Sequence, residues 1–198
     1  VNWKVDSITF PGSIGYMVPN IFAFDGNIAL ACMAPLSGTG GVIAKTTDGG
    51  STWSTNGSPA FTNSWADLVH FFNPNDGVCV GDPTGSNQDF VIYTTTNGGV
   101  SWTQVPGANI PNASGAEAGL MGLYESIGNT IWFGTNIGRM YKSVDKGLNW
   151  TVSATGITDE INVKFKDENT GFALSLKSPI IVKKTTDGGT TWNTFTPA

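Results

Sequence analysis

Charged side chains are scarce in this sequence. Only 13% of its 198 residues are charged, the net charge is −5, and Arg139 is the single arginine. A soluble domain averages about 25% charged residues, and a surface poor in cations repels phosphate backbones and anionic lipid. We therefore expect neither nucleic acid nor a membrane surface among the partners of this chain.

The residues that most metal and redox sites need are also few. The sequence has one histidine (His70) and two cysteines (Cys32 and Cys79), without the CxxC or HxxxH spacing of a zinc site. It lacks the strings GxSxG, HExxH and GxxxxGK[S/T] of common hydrolases, metalloproteases and phosphate-binding loops. We expect no metal and no cofactor. The longest uninterrupted apolar run, Ile28–Pro35, has eight residues, too few for a membrane-spanning helix of about 20.

One eight-residue string occurs four times at nearly equal spacing, and we call its copies turn motifs 1 to 4. Each copy begins with Ser or Thr, has Asp or Asn third and Gly fifth, and ends with Trp. The tryptophans lie 49, 48 and 42 residues apart, close to the ~40–50 residues of one propeller blade. The defining residues are Thr46, Asp48, Gly50 and Trp53; Thr95, Asn97, Gly99 and Trp102; Ser143, Asp145, Gly147 and Trp150; and Thr185, Asp187, Gly189 and Trp192.

The intervals between the turn motifs predict short β-strands. Each interval holds three apolar runs separated by clusters of Asp, Asn and Gly, and a fourth run begins at the motif tryptophan. Alternating apolar residues have the period of a strand, and Asp, Asn and Gly favour tight turns. The sequence therefore predicts an all-β propeller made of four-stranded antiparallel blades. We place these blades at about residues 20–57, 68–106, 119–154 and 161–198.

The first residues resemble the end of another turn motif. Val1-Asn2-Trp3-Lys4-Val5 is similar to Leu148-Asn149-Trp150-Thr151-Val152, which predicts an orphan outer strand over residues 1–9. Because propellers have about 4–8 blades, four blades and one strand make either a small ring or part of a larger one. We expect the larger ring, since an orphan strand needs inner strands to pair with. The rest of the propeller, or a partner chain, is expected to cover the open ends.

The turn motifs are similar to the Asp-box, Ser/Thr-x-Asp-x-Gly-x-x-Trp, of many β-propellers. The order of strands and motifs resembles photosystem II assembly-factor-like propellers and the wider Asp-box (BNR) superfamily. The segment Val69–Trp150 is similar to secreted bacterial propellers that carry a type IX secretion sorting domain. This resemblance implies a secreted or cell-surface chain that leaves the cell by that pathway.

The resemblance leaves three functions open, of which the third is an assembly factor that binds another protein during its maturation. The first is a non-enzymatic module that binds protein or glycan. The alternative is a glycoside hydrolase, although not of the sialidase type, whose site uses three arginines. A pair of acids ~6.5–9.5 Å apart would suit inverting hydrolysis. We interpret Asp48, Asp145 and Asp187 as turn caps, because they recur once per blade whereas a catalytic pair is unique. We assign no catalytic residue.

Candidate ligand-binding residues lie on the loops that we expect at one end of the blades. The longest link, Pro106–Leu123, and the links between second and third strands meet at this end, and long loops often carry function. Asp82, Glu117 and Arg139 are the charged residues we select there, and we expect Asp82 and Glu117 to lie near one another. The alternatives are solvated loop charges and, for Arg139, a backbone clamp.

Four further residues have more than one interpretation. Cys32 and Cys79 fall on the second strands of neighbouring blades, as buried free thiols or as a disulfide. His70 lies in an inner strand, and we interpret it as a packed or solvated side chain rather than a catalytic base. Asp6-Ser7-Ile8 resembles the sites at which some secreted bacteria attach O-glycans, so Ser7 is either glycosylated or an ordinary strand residue.

Overall fold

The computed structural model describes residues 7–10 and 12–195, and in them the chain consists of β-strands joined by turns. The described part contains one short 3₁₀ helix, Gly107–Asn109, and no α-helix. It holds no helix of the length and apolarity needed to cross a membrane. The strands are β1 Tyr16–Ala23, β2 Ala29–Pro35, β3 Val42–Thr46, β4 Ala66–Phe71, β5 Gly77–Gly81, β6 Val91–Thr95, β7 Thr103–Gln104, β8 Gly119–Ile127, β9 Thr130–Thr135, β10 Arg139–Ser143, β11 Thr151–Ala154, β12 Ile161–Phe165, β13 Gly171–Ser175, β14 Val182–Thr185 and β15 Asn193–Thr194.

Consecutive strands form four separate antiparallel sheets, which we number as blades 1 to 4. Blade 1 contains β1–β3, and an isolated pairing of Lys45 with Ser54 stands in place of a fourth strand. Blades 2, 3 and 4 contain β4–β7, β8–β11 and β12–β15. The innermost strands β1, β4, β8 and β12 contact one another in that order, as inner strands do around a propeller channel. The predicted all-β propeller is confirmed, while its place in a larger ring stays a prediction.

The hydrophobic core lies between blades, not within them. Leu30 and Cys32 of blade 1 pack with Val69 and Phe71 of blade 2. Similar clusters join blade 2 to blade 3 and blade 3 to blade 4. The sheets of blades 2 and 3 are apolar on both faces because a neighbouring blade covers each face. In blade 1, β2 packs on blade 2 with one face and on Ile8 and Phe10 with the other, which explains its nearly continuous apolar run.

The turn motifs hold themselves together through their own side chains. In turn motif 1 the Thr46 hydroxyl donates to Asp48 Oδ1 at 2.9 Å and accepts from Gly50 N at 3.0 Å, while Asp48 Oδ1 accepts from Thr52 N at 2.9 Å. The same three bonds recur in turn motifs 2, 3 and 4. The motif carboxylates therefore satisfy backbone N–H groups of the hairpin, as capping side chains do.

The beginning of the chain departs from the expected boundaries. Strand β1 starts at Tyr16, earlier than the expected start near residue 20, and its pairing with β2 shifts between Met17 and Asn20. Such a bulge accommodates Pro19, which has no N–H to donate to the ladder. Most of the expected outer strand over residues 1–9, including Trp3, lies outside the described residues, and residues 7–10 contain no strand.

Cys32 and Cys79 are free, and both lie buried in the core between blades 1 and 2. The free-thiol interpretation therefore describes this structure, and the disulfide does not. Burial raises the pKa of both thiols well above their ordinary value, because a low-dielectric core disfavours the thiolate.

Candidate functional site

A buried pair of carboxyl groups, Asp67 and Asp82, lies where blade 2 meets the first residue of β8. The pairing of β4 with β5 is one residue out of step at Asp67, so Asp67 is the extra residue of a β-bulge, which redirects its side chain. Asp82 follows β5 directly, and its Oδ1 accepts a 2.7 Å hydrogen bond from Gly119 N. The two carboxyl groups therefore meet at the junction of blades 2 and 3.

These two carboxyl groups share one proton. Asp67 is 2% exposed, and its Oδ2 has no hydrogen-bond donor among the described residues. Two carboxylates can only repel each other, whereas a protonated Asp67 donates to Asp82. Burial and the charge of Asp82 raise the pKa of Asp67 well above its ordinary value. Burial raises the pKa of Asp82 to about 6.

The backbone of Gly119 completes this junction. A Cβ atom on Gly119 would lie 2.7 Å from Asp67 Oδ2 and 3.7 Å from Asp82 Oδ1. Only a residue without a side chain lets β8 approach the acid pair this closely. The acid pair therefore joins the start of β8 to blade 2, through the hydrogen bond from Gly119 N to Asp82.

Glu117 and Arg139 form an ion pair that fixes the long link between blades 2 and 3. Arg139 Nη1 lies 2.9 Å from Glu117 Oε2, with the Glu117 side chain fully buried and the Arg139 side chain 20% exposed. Ser114 N donates to the same Oε2 at 2.9 Å, and Arg139 Nη2 donates to the Asn112 carbonyl at 3.3 Å. The Arg139 guanidinium also stands 5.5 Å from the centre of the Tyr141 ring. In this arrangement Arg139 clamps the backbone of the link.

The three predicted ligand-binding residues are thus divided between two internal contacts. Glu117 and Arg139 pair with each other. Asp82 pairs with Asp67, and within the described residues no hydrogen bond or ion pair joins Asp82 to Glu117. We expected Asp82 and Glu117 to lie near one another. The contact that the structure shows is the hydrogen bond to Asp82 from Gly119 N, two residues after Glu117. A ligand-binding role for these three residues stays a prediction.

A second concave site, which we call the channel groove, lies among the innermost strands. It has a volume of about 350 Å³. Its walls come from all four blades: Phe22 of β1, His70 of β4, Gly122, Tyr124, Glu125 and Ser126 of β8, and Lys164 of β12. Such convergence of side chains on one concavity is typical of binding sites.

Four of these side chains occupy equivalent positions in their blades. Each is the third residue before the hairpin turn that follows its inner strand, the turns starting at Asp25, Asn73, Gly128 and Asp167. The register of strand pairing agrees. Each of the four residues pairs with a residue of the second strand, and that residue pairs in turn with the third-strand residue that directly precedes the turn motif. The four equivalent residues are Phe22, His70, Glu125 and Lys164.

His70 is a neutral, aromatic-packed side chain in this groove. Its ring lies edge-on to Phe22, Phe72 and Tyr124, at 5.1, 4.8 and 5.3 Å between centres. Nδ1 lies 3.3 Å from the Tyr124 hydroxyl. Burial lowers the pKa of His70 to about 4, so the imidazole is uncharged near neutral pH. It can therefore accept or donate a hydrogen bond to a ligand without contributing charge.

Charge in the groove comes from Lys164 and Glu125. Lys164 Nζ lies 3.3 Å from Glu125 Oε2, and the two side chains are 61% and 27% exposed. Lys164 Nζ also donates to the Tyr124 carbonyl at 3.1 Å. A pair this exposed contributes at most about 1 kcal/mol, so a ligand can displace either partner. The groove thus offers aromatic surface, one displaceable cation and one displaceable anion.

The sequence pattern places His70 on an inner strand as a packed or solvated side chain, and it selects neither His70 nor Tyr124, Glu125 or Lys164 as a binding residue. The signal was present in the repeat, as the shared distance from the hairpin turn. Across the described residues, no group of three or more His, Cys, Asp and Glu side chains is placed to hold a metal ion.

No protein-family profile and no curated protein matches this sequence. Solved structures do match in fold. The first is "YCF48 bound to D1 peptide", with a TM-score of 0.61 and 22% identity over 93% of this chain and 55% of that chain. The second is YCF48 from Cyanidioschyzon merolae, with a TM-score of 0.58 and 17% identity over 93% of this chain and 57% of that chain.

A protein of unknown function from Dyadobacter fermentans DSM 18053 is also similar. Its TM-score is 0.53, with 13% identity over 91% of this chain and 72% of that chain. At these identities the likeness establishes the β-propeller fold. This chain spans slightly more than half the length of the two YCF48 chains.

Proposed function

We propose that this propeller is a non-enzymatic protein-binding module whose channel groove holds an extended segment of a partner polypeptide. The observation that carries the proposal is the convergence of all four inner strands on one groove, where Phe22, His70, Glu125 and Lys164 occupy equivalent positions. A site built once from four repeats belongs to the assembled propeller rather than to any single blade.

The chemistry of the groove suits a peptide. An extended backbone presents donors and acceptors in alternation, and the Tyr124 hydroxyl and the neutral His70 imidazole offer both kinds of partner. Lys164 can exchange Glu125 for a carboxylate of the ligand at little cost, since the existing pair is exposed. The peptide-bound YCF48 structure, which has the same fold, supports a propeller of this type as a peptide receptor.

The glycoside-hydrolase alternative gains no support from the carboxyl pair. Asp67 and Asp82 are in hydrogen-bond contact, whereas the two acids of such an enzyme stand ~5–5.5 Å or ~6.5–9.5 Å apart to admit a sugar ring or a water. The pair is also buried against Gly119, which leaves no room for a sugar.

Export is a second part of the proposal. The similarity of Val69–Trp150 to secreted bacterial propellers, and of the turn motifs to the Asp-box, supports a secreted or cell-surface protein that uses the type IX pathway. Antibody detection in cell, surface and medium fractions of the native host tests it. Retention of the protein inside cells that lack the type IX pore is the expected result, and unchanged export would contradict the pathway.

Peptide binding is testable with the 198-residue chain. We would pan a displayed library of random twelve-residue peptides against it, then measure the affinity of selected peptides by fluorescence anisotropy. We expect Lys164→Ala and Tyr124→Phe to weaken binding at least several-fold. Lys166→Ala is the matched control, because it removes the same charge from the exposed hairpin turn two residues beyond Lys164.

The outcomes are distinct. Selection of peptides that Lys164→Ala no longer binds, and that Lys166→Ala binds normally, supports the channel groove. Selected peptides that bind both variants equally would place the binding site elsewhere. A panel of soluble polysaccharides in the same assay tests the glycan alternative, and turnover of any of them would overturn the non-enzymatic assignment.

A further inference from the structure

A groove opens on the outer rim of the molecule where blade 3 meets blade 4, and we call it the rim groove. At each junction between blades, the second glycine of a turn motif packs on the blade before it, and the residue after that glycine is exposed. Beside turn motif 4 this arrangement leaves a groove of about 250 Å³. The residues that form it include Met140, Lys142, Val152, Ser153, Gly189 and Thr190.

An equivalent groove lies at the junction of blades 1 and 2. Its volume is about 320 Å³, and Lys45 and Gly99 line it at the positions that Lys142 and Gly189 hold in the rim groove. Both blades that form each groove belong to this chain, so a further blade of a ring would not lie between them. The grooves are therefore a property of the junctions themselves.

The junction of blades 2 and 3 shows what such a place accepts. Asn109 of the long link donates from its carboxamide to the Leu148 carbonyl at 3.1 Å, and the Asn109 carbonyl accepts from Trp150 N at 2.9 Å. One asparagine thereby joins a polypeptide segment to the sixth and eighth residues of turn motif 3. Thr190 and Trp192 hold those two positions in turn motif 4.

The link after blade 3 leaves the corresponding groups of turn motif 4 free. This link, residues 155–160, is shorter than the link 105–118, and Thr155 donates its N–H and its hydroxyl to the Gly138 carbonyl at 3.1 and 2.7 Å. Within the part of the chain that the structure describes, no hydrogen bond reaches the Thr190 carbonyl or the Trp192 N–H. In turn motif 2, by contrast, Gly57 packs directly against the Val100 carbonyl.

Lys142 adds an uncompensated cation to the rim groove. Its Nζ lies 5.8 Å from the centre of the buried Trp132 ring, and among the described residues it has no ion-pair partner. Lys45, at the equivalent position of blade 1, donates instead to the Gly98 carbonyl at 2.7 Å. A carboxylate is the complement of the Lys142 ammonium, since a charge-assisted hydrogen bond is stronger than a neutral one.

We propose that the rim groove binds an extended segment of a partner protein through an asparagine, in the way that Asn109 binds turn motif 3. The carboxamide N–H of that asparagine donates to the Thr190 carbonyl, and its backbone carbonyl accepts from Trp192 N. An acidic residue close to it in the segment pairs with Lys142. The groove is slightly smaller than the ~300–1,000 Å³ of a site for a drug-sized ligand, which suits one or two residues of a peptide.

This site is independent of the channel groove, with which it shares no lining residue. Titration of the 198-residue chain with a capped peptide, followed by amide NMR spectra, tests it. The probe is Asp-Ala-Asn-Ile-Pro, which repeats residues 108–111 after an aspartate. We expect saturable shifts of the amide signals of Gly189 and Trp192, and none when alanine replaces the asparagine of the peptide.

Two lysine variants locate the site. Lys142→Ala should weaken binding at least several-fold, because it removes the partner of the peptide aspartate. Lys45→Ala is the matched control, since it removes the equivalent lysine from the groove of blades 1 and 2, and it should leave the affinity unchanged. The NMR spectrum of each variant shows directly whether it folds.

Three results would overturn the proposal. The first is the absence of shifts in turn motif 4 up to the solubility limit of the peptide, and the second is equal shifts with the asparagine and alanine peptides. The third is loss of binding in Lys45→Ala but not in Lys142→Ala, which would assign the peptide to the other junction. Shifts confined to Tyr124 and Lys164 belong to the first result, and they would support the channel groove instead.

Discussion

Asp67 and Asp82 hold one proton between them at the junction of blades 2 and 3, and Gly119 N donates to the ionised member. The folded protein therefore binds this proton more tightly than the unfolded chain does. This proton lies on Asp67, whose folded pKa is raised well above its ordinary value of 3.8. Asp82 binds a second proton with a folded pKa of about 6, also above its ordinary value of 3.8. The stabilisation from Asp82 is complete below about pH 4 and is lost as the pH rises through about 6.

Asp67→Asn should remove the part of the pH dependence that comes from the raised pKa of Asp67 and leave the part that comes from the burial of Asp82. The amide of asparagine donates to Asp82 at any pH, and it needs no proton from solution. We expect the variant to be more stable than the natural protein at pH 8 by about 1–3 kcal/mol, and the difference to shrink towards pH 4. Urea unfolding from pH 4.5 to 8 measures it. Parallel pH profiles for the two proteins would show that the pair shares no proton.

The third residue of the turn motif should tolerate loss of its charge but not of its oxygen. Asn97 already makes the bonds in turn motif 2 that Asp145 makes in turn motif 3. Asp145→Asn should therefore leave stability nearly unchanged, while Asp145→Ala should cost about 1 kcal/mol, as loss of a capping side chain does. Chemical denaturation measures both, and equal losses in the two variants would mean that charge, not capping, is what matters.

Arg139→Met should destabilise the protein strongly, because it leaves the fully buried Glu117 carboxylate without its cation. Removing one partner of a buried ion pair costs about 3–5 kcal/mol. The double variant Arg139→Met with Glu117→Gln should recover a large part of that loss, since no buried charge remains. Thermal melts of the two variants compare them, and a double variant no more stable than Arg139→Met would show that packing of the long link dominates.

The thiols of Cys32 and Cys79 should be unreactive in the folded protein. Both are buried with raised pKa values, and only an exposed thiolate reacts readily with a disulfide reagent. We expect two thiols to react rapidly with DTNB in 6 M guanidinium chloride and at the rate of unfolding in its absence. Fast native labelling of either cysteine would contradict the buried junction of blades 1 and 2.

The blade architecture was predictable because it is local. Residues equivalent to Thr46, Gly50 and Trp53 recur four times, between alternating apolar runs. This pattern specifies hairpins without any knowledge of distant contacts. The start of β1 was predicted less well, since the bulge around Pro19 breaks the alternation on which strand boundaries depend.

The sites were less predictable, for two different reasons. Asp67 sits two residues before Val69, so strict alternation places it on the same face as that core residue; only the bulge redirects it, and a bulge depends on the partner strand. Lys164 and Glu125 form a pair because β8 and β12 are adjacent inner strands. Aligning the repeats shows that they are equivalent, but only the propeller geometry shows that they meet.

In three neighbouring pairs of blades, a glycine of one turn motif packs on the blade before it: Gly99 on Leu30, Gly147 on Val78 and Gly189 on Met140. The inserted group is the same in each pair, whereas the side chain that receives it differs. Deleting one whole unit of about 42–49 residues, the spacing of the motif tryptophans, would therefore keep the backbone geometry of the new junction but bring together side chains that do not pack in this chain. Change of length by whole units is compatible with the repeat architecture and needs repacking at one junction only.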